Sequence, residues 1–206
     1  MKYFFLNLLI CLSITSCAQS SIKLSFLEEI KYPDKINVLR IDTLQSDNIV
    51  FYLPITNNQF ANKILLNDKK LSLNNPDYLK GTIQYKVKQV SNNFISVVKD
   101  IYIEDDTSPK GYFSWKECLN FFRYYEKIYE IEYILDENEI YAKLIEAVNN
   151  GKLEKECLEE DRYPIKDMFF YFSEGKLYVQ NPIIFPICWL DVKVDINENN
   201  LKFKKM

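Results

Sequence analysis

Asp105 and Asp106 stand side by side in the polar stretch Asp105-Asp106-Thr107-Ser108-Pro109-Lys110-Gly111. Two carboxylates in a loop would bind a cation or a basic partner, with Lys110 available for an acidic group. Neighbours in an extended chain point to opposite sides, however, so a solvated acidic loop is the plainer expectation. Glu154, Glu156, Glu159, Glu160 and Asp161 form a denser acidic run, interleaved with Lys152 and Lys155, and such runs are mostly solvated helix faces. A third candidate is apolar. Ile183, Ile184, Phe185, Ile187 and Trp189 cluster between and beyond Pro182 and Pro186. Prolines confine such a strand to an edge or a bulge. The segment is read as a core strand entering through a proline-rich turn, with an exposed apolar lip that meets a partner, anchored by Trp189, as the alternative.

What is missing narrows the chemistry further. The chain contains no histidine, which removes Ser-His-Asp and Cys-His catalysis and every histidine metal site. Five cysteines occur, and no two of Cys118, Cys157 and Cys188 lie close enough in sequence for a zinc clamp. These three are expected as buried free thiols, with one disulfide and one leftover thiol as the alternative. Four glycines leave little room for a Gly-rich phosphate loop. No cofactor and no metal are expected.

The first seventeen residues carry a different chemistry. Lys2 supplies a positive start, and the apolar stretch from Tyr3 to Ile14 is of secretory length, too short to span a bilayer as a helix. It closes on Ile14-Thr15-Ser16-Cys17, which resembles the lipobox of bacterial lipoproteins. That resemblance implies cleavage before Cys17 and acylation of its thiol, giving a leader over 1–16 and an anchor with a short tether over 17–25. At about 0.8 kcal/mol per buried methylene, two or three acyl chains would hold the mature protein firmly in a membrane. Ala18-Gln19-Ser20-Ser21 carries no aspartate or acidic run, and by analogy with lipoprotein sorting the expected location is the periplasmic face of an outer membrane.

The remaining chain, 26–206, reads as one α+β domain of largely antiparallel sheet with two or three flanking helices. Its 48% hydrophobic content, with 15 Tyr and 14 Phe, is enough for a packed core. The formal charge is −3 before Lys2 is lost, so there is no basic footprint for nucleic acid. Ile22 to Phe26 alternates like a half-buried strand, and Lys35 to Leu44 and Ile49 to Ile55 give two more, the latter stopped by Pro54. Asn58 to Leu66 turns helical, with Asn57 or Asn58 as N-cap and Phe60, Ile64 and Asn67 at helical spacing. Ile83, Tyr85 and Val87, a turn at Ser91-Asn92-Asn93, then Ile95, Val97, Ile101 and Ile103 make a hairpin with one buried face. An aromatic run spans Tyr112 to Ile134. A helix opens at Asp136 and stops at Gly151, with Ile140, Leu144, Ala147 and Val148 as its stripe. A charged stretch of Lys152 to Asp161, then strands over Met168 to Phe172, Lys176 to Gln180 and Phe185 to Ile196, complete the reading.

Three of these segments resemble the extracellular domain shared by RsiV-type anti-sigma factors and certain peptidoglycan deacetylases. Asn93-Phe94-Ile95-Ser96-Val97 is similar to its Ile-Ser-Val strand. Leu119-Asn120-Phe121-Phe122 with Lys127-Ile128-Tyr129-Glu130-Ile131 and Leu135 resembles its hairpin, and Phe170 to Val179 with Glu174-Gly175-Lys176-Leu177 resembles its late strand pair. The resemblance implies a non-catalytic extracellular recognition module, in one branch a lysozyme-binding one. Two loops depart from the pattern, at Thr107 to Gly111 and Pro182 to Pro186, and binding specificity usually sits in loops. The expected function is therefore a lipid-anchored envelope binding module. Its partner would be a protein or a cell-wall component, a lysozyme-like protein included, met through Asp105, Asp106, Lys110, Phe185 and Trp189. A protective inhibitor or immunity lipoprotein is one alternative. A cell-wall enzyme using two carboxylates across a cleft, roughly 5–10 Å apart, is the other.

Overall fold

The computed structural model describes residues 19–46, 48–73, 80–104, 111–158, 168–180 and 190–206. Its centre is a seven-stranded sheet in the order β1-β2-β3-β4-β5-β6-β10. The strands are β1 (Val38–Ser46), β2 (Ile49–Thr56), β3 (Gly81–Val90), β4 (Phe94–Glu104), β5 (Tyr112–Tyr124), β6 (Lys127–Tyr133) and β10 (Leu201–Lys205). A second sheet, β7 (Phe169–Ser173), β8 (Lys176–Gln180) and β9 (Val192–Val194), is entirely antiparallel. The α+β reading holds. One pair departs from it: β2 and β3 run parallel over Ile49 to Tyr52, because helix α2 (Gln59–Leu73) crosses back between them. That pairing ends two residues before Pro54, so the proline sits inside β2 without removing a bond to β3.

The largest correction concerns the N-terminal segment. Residues 19–31 form a helix, α1, in place of the expected strand over Ile22 to Phe26 and the expected tether over 17–25. Ile22, Phe26, Leu27 and Ile30 are buried, a spacing of four, five and eight that fits one helical stripe as well as the alternation fitted a short strand. Phe26 is fully buried and meets Phe94, Phe122, Phe172 and Phe203 edge to face at 5.2–5.5 Å. It nails α1 to both sheets at once, so α1 belongs to the core.

The other helices follow the sequence closely. Asn58 caps α2 by accepting the Ala61 N–H at 2.9 Å, and Phe60, Ala61, Ile64 and Leu65 are buried against β2, β3 and β4. The helix runs seven residues past the expected Leu66, to Leu73. Asp136 caps α3 (Glu137–Asn149) by accepting from the Asn138 and Glu139 amides, and Gly151 at φ 67° leaves the helix through the left-handed region. In the described part of the charged stretch, Lys155–Leu158 forms a 3₁₀ turn. Of the expected strand to Ile196, β9 is the described part, and β10 was not anticipated.

The two faces of the large sheet build separate cores. One packs Phe51, Leu53, Ile83, Ile95, Val97 and Ile101 under α2. The other packs Phe94 and Phe122 under α1, α3 and the small sheet. Gly81 is required where β3 begins: a Cβ there would lie 1.9 Å from the Tyr102 carbonyl oxygen. A row of polar side chains, Gln89, Ser96 and Asn120, crosses β3, β4 and β5 and fastens the small sheet. Ser96 Oγ donates to Asn120 at 2.7 Å and accepts the Phe172 N–H at 2.9 Å. Asn120 donates to the Phe170 carbonyl at 3.0 Å. Gln89 donates to the Ile30 carbonyl at the end of α1 and accepts the Gly175 N–H. Ser96 and Asn120 belong to the segments that carry the family resemblance, and here they hold the two sheets together.

Cys157 is disulfide-bonded, against the expectation of a free thiol, and its partner lies outside the described residues. Cys118 is a free thiol, as expected. Burial pushes its pKa up from the ordinary 9.0, so it stays protonated and inert.

Candidate functional site

Cys17, Asp105, Asp106, Lys110, Phe185, Trp189 and Cys188 all lie outside the described residues, as does the acidic run from Glu159 to Asp161. Within the described residues two groupings carry chemistry, and neither was singled out in the sequence.

The first is an internal charged layer at the middle of β4. Lys99 and Asp100 are adjacent, so they point to opposite faces of the sheet, and both are buried. On the α2 side, Lys99 Nζ lies 2.6 Å from a Glu117 carboxylate oxygen and 3.4 Å from Asp68. Tyr85 donates its hydroxyl to the same Asp68 at 2.8 Å. On the opposite face Asp100 meets Lys86 at 2.5 Å and Lys116 at 3.5 Å. The contact with Lys116 is an ion pair, and Asp100 Oδ1 is buried with no hydrogen-bond partner among the described residues. Burial lowers the Lys116 pKa, an effect that Asp100 opposes and Lys86 reinforces. Each buried charge thus faces an opposite one, which is what a folded interior demands. The layer had a sequence signal. Lys99 interrupts the apolar face formed by Ile95, Val97, Ile101 and Ile103.

The second grouping is the tip of the β5–β6 hairpin. Tyr125 holds φ at 54°, a left-handed conformation that is uncommon for a bulky residue, yet its side chain is 82% exposed. Its ring lies edge to face with that of Tyr124, centroids 4.6 Å apart. Burial, then Tyr125 and Tyr129, raise the Tyr124 pKa, so its phenol stays neutral. The two rings form a ridge between two grooves. One groove is lined by Ser25, Asn93, Arg123 and Glu126 beside the tyrosines. The other is lined by Ser21, Ile22, Lys127 and Tyr129. Arg123 is fixed from behind. It donates to Asn93 Oδ1 at 3.0 and 3.1 Å and to the Asn92 carbonyl at 3.2 Å, and lies over the Phe60 ring at 5.1 Å.

No family model matches the chain, and no curated protein matches it in sequence. The resemblance to the RsiV-type extracellular domain therefore rests on its own motifs, which occupy strands β4 to β8 and their turns.

Chemically the hairpin tip offers flat aromatic surface with a guanidinium and a carboxylate at its sides. That combination suits recognition by stacking and hydrogen bonding. In the sequence only the family resemblance points to this hairpin: Tyr125 and Glu126 are not turn formers, so by pattern Tyr112 to Ile134 reads as one run and nothing in it marks the tip as a site. Among the described residues no three His, Cys, Asp or Glu side chains gather to hold a metal ion, and no described helix is long and apolar enough to cross a membrane.

Proposed function

We propose that this chain is a lipid-anchored, non-catalytic binding module of the bacterial cell envelope, and that the Tyr124–Tyr125 ridge is its contact surface. The observation that carries the reading is Tyr125. A glycine would take its backbone conformation without strain, of the order of 1 kcal/mol or more. Retaining a tyrosine there, with its ring in solvent, trades stability for an exposed aromatic surface. Tyrosine and arginine are the side chains that dominate recognition surfaces, and Arg123 arrives pre-ordered beside the ridge.

The anchor supports the same reading. Acylation at Cys17 would place the lipid four residues before Ser21 in sequence. The second groove is lined by Ser21 and Ile22 of α1, so the ridge would lie on the membrane-proximal side of the domain. A partner there is a protein or wall component held close to the bilayer.

The test uses the unlipidated chain, made without residues 1–16 and with Cys17→Ser, sedimented with purified outer-membrane and peptidoglycan fragments. Saturable pelleting without release of soluble wall fragments is the expected outcome. Release of soluble sugars or peptides from the wall would contradict it and return the carboxylate-enzyme alternative.

A further inference from the structure

We propose that two copies of this chain pair antiparallel through β1, in a register centred on Ile41, joining their seven-stranded sheets into one. Among the described residues the large sheet has two edges with no neighbouring strand, and they differ in kind. Strand β10 carries Lys202, Lys204 and Lys205, the charged side chains that natural proteins place on edges to prevent pairing. Strand β1 is nine residues long, and its Val38, Leu39 and Ile41 are 44%, 62% and 59% exposed. A long apolar edge strand is a template for another strand. Its only charges are Arg40 and Asp42, an exposed ion pair at 2.7 Å on one face of the strand.

Those two charges select both the partner and the register. A two-fold axis through an antiparallel pair must place some residue opposite its own copy, because opposed side chains share a face. Centring on Arg40 opposes two guanidiniums, and centring on Asp42 opposes two carboxylates, both unfavourable. Centring on Thr43 places Asp42 opposite Leu44 and Arg40 opposite Ser46. Centring on Ile41 places each Ile41 opposite its own copy and each Arg40 opposite the partner copy's Asp42, within the regular segment that begins at Arg40. This register turns one exposed ion pair per chain into an alternating group of four charges. It also covers the apolar residues that β1 leaves in water. The bulge at Val38/Arg40 bounds the regular segment from Arg40 onward, which contains the centre.

Cysteine substitution in the full chain tests the register. Opposed Cα atoms in an antiparallel pair lie about 4.5–5.5 Å apart, within the roughly 4.4–6.8 Å that a disulfide spans. Ile41→Cys should therefore give a covalent dimer under mild oxidation. Thr43→Cys should not, because the two introduced thiols would sit about 14 Å apart along the strand. Arg40→Asp or Asp42→Arg alone should abolish dimer at concentrations where the wild type forms it, and the double exchange Arg40→Asp/Asp42→Arg should restore it. Efficient crosslinking by Thr43→Cys in preference to Ile41→Cys would overturn the register. A wild type that sediments as a monomer up to high micromolar concentration would overturn the dimer. The double exchange separates lost association from lost folding, since a variant that merely unfolds is not rescued by a second charge reversal.

Discussion

Asp100 is the residue on which the interior electrostatics turn. It is buried between Lys86 and Lys116, and removing one member of such a group leaves an uncompensated charge inside the protein. Asp100→Asn should cost about 3–5 kcal/mol in urea unfolding. Asp100→Leu combined with Lys116→Met should recover most of that loss, because it removes both buried charges together. Additive costs would mean that the two groups do not act as a pair. Cys118 gives a second residue-scale prediction. Its thiol should resist alkylation in the folded protein and react once the chain is unfolded. Folding raises the pKa of Cys118 above 9.0 and that of Tyr171 above 10.0, the latter chiefly through burial and then through Asp191. The folded state therefore binds these two protons more tightly than the unfolded one. Their contribution is complete below pH 9.0 and declines as pH rises through the thiol and phenol range. Lys116 acts with the opposite sign, since its lowered pKa adds stability as pH rises toward 10.5. Alkaline urea midpoints of wild type and Cys118→Ala should converge, with the substituted protein losing less. Parallel curves would contradict the assignment to Cys118.

At the scale of elements, α1 decides where the domain begins. Ile22-Lys23-Leu24-Ser25-Phe26 reads as a half-buried strand because it alternates over a window too short to separate periods of 2 and 3.6. The structure uses the longer period, and Phe26 closes an aromatic cluster that spans both sheets. Phe26→Ala should cost about 3–5 kcal/mol in urea unfolding, as for any large aromatic removed from a packed core. A cost below about 1 kcal/mol, the scale of a surface change, would restore the tether. The β3–β4 hairpin and α3 were legible for opposite reasons. Their apolar periods run long, and turn or cap residues at Ser91-Asn92-Asn93, Asp136 and Gly151 mark their ends. The β5–β6 hairpin was legible only through the family resemblance, because Tyr125 and Glu126 make a turn without glycine, proline or asparagine. The same absence marks the ridge as a candidate site. Lys99 and Asp100 stood in plain view, but their pairing with Asp68, Glu117, Lys86 and Lys116 depends on strand register, which one hairpin pattern does not supply.

For the whole molecule, the arrangement separates three tasks. The interior charges are absorbed in pairs within the sheet, the polar row Gln89, Ser96 and Asn120 binds the second sheet to the first, and exposed aromatic surface is left at the hairpin tip. The strained aromatic turn on the molecule's surface is what the proposed binding function rests on. The central claim is that Tyr125 keeps its conformation for recognition rather than for folding. The most direct measurement is Tyr125→Gly, with its urea midpoint and its pelleting with envelope fragments read side by side. The expected variant is as stable as wild type or more so, by up to about 1 kcal/mol, and no longer pellets. A variant that is clearly destabilised, or one that pellets as well as wild type, would contradict it.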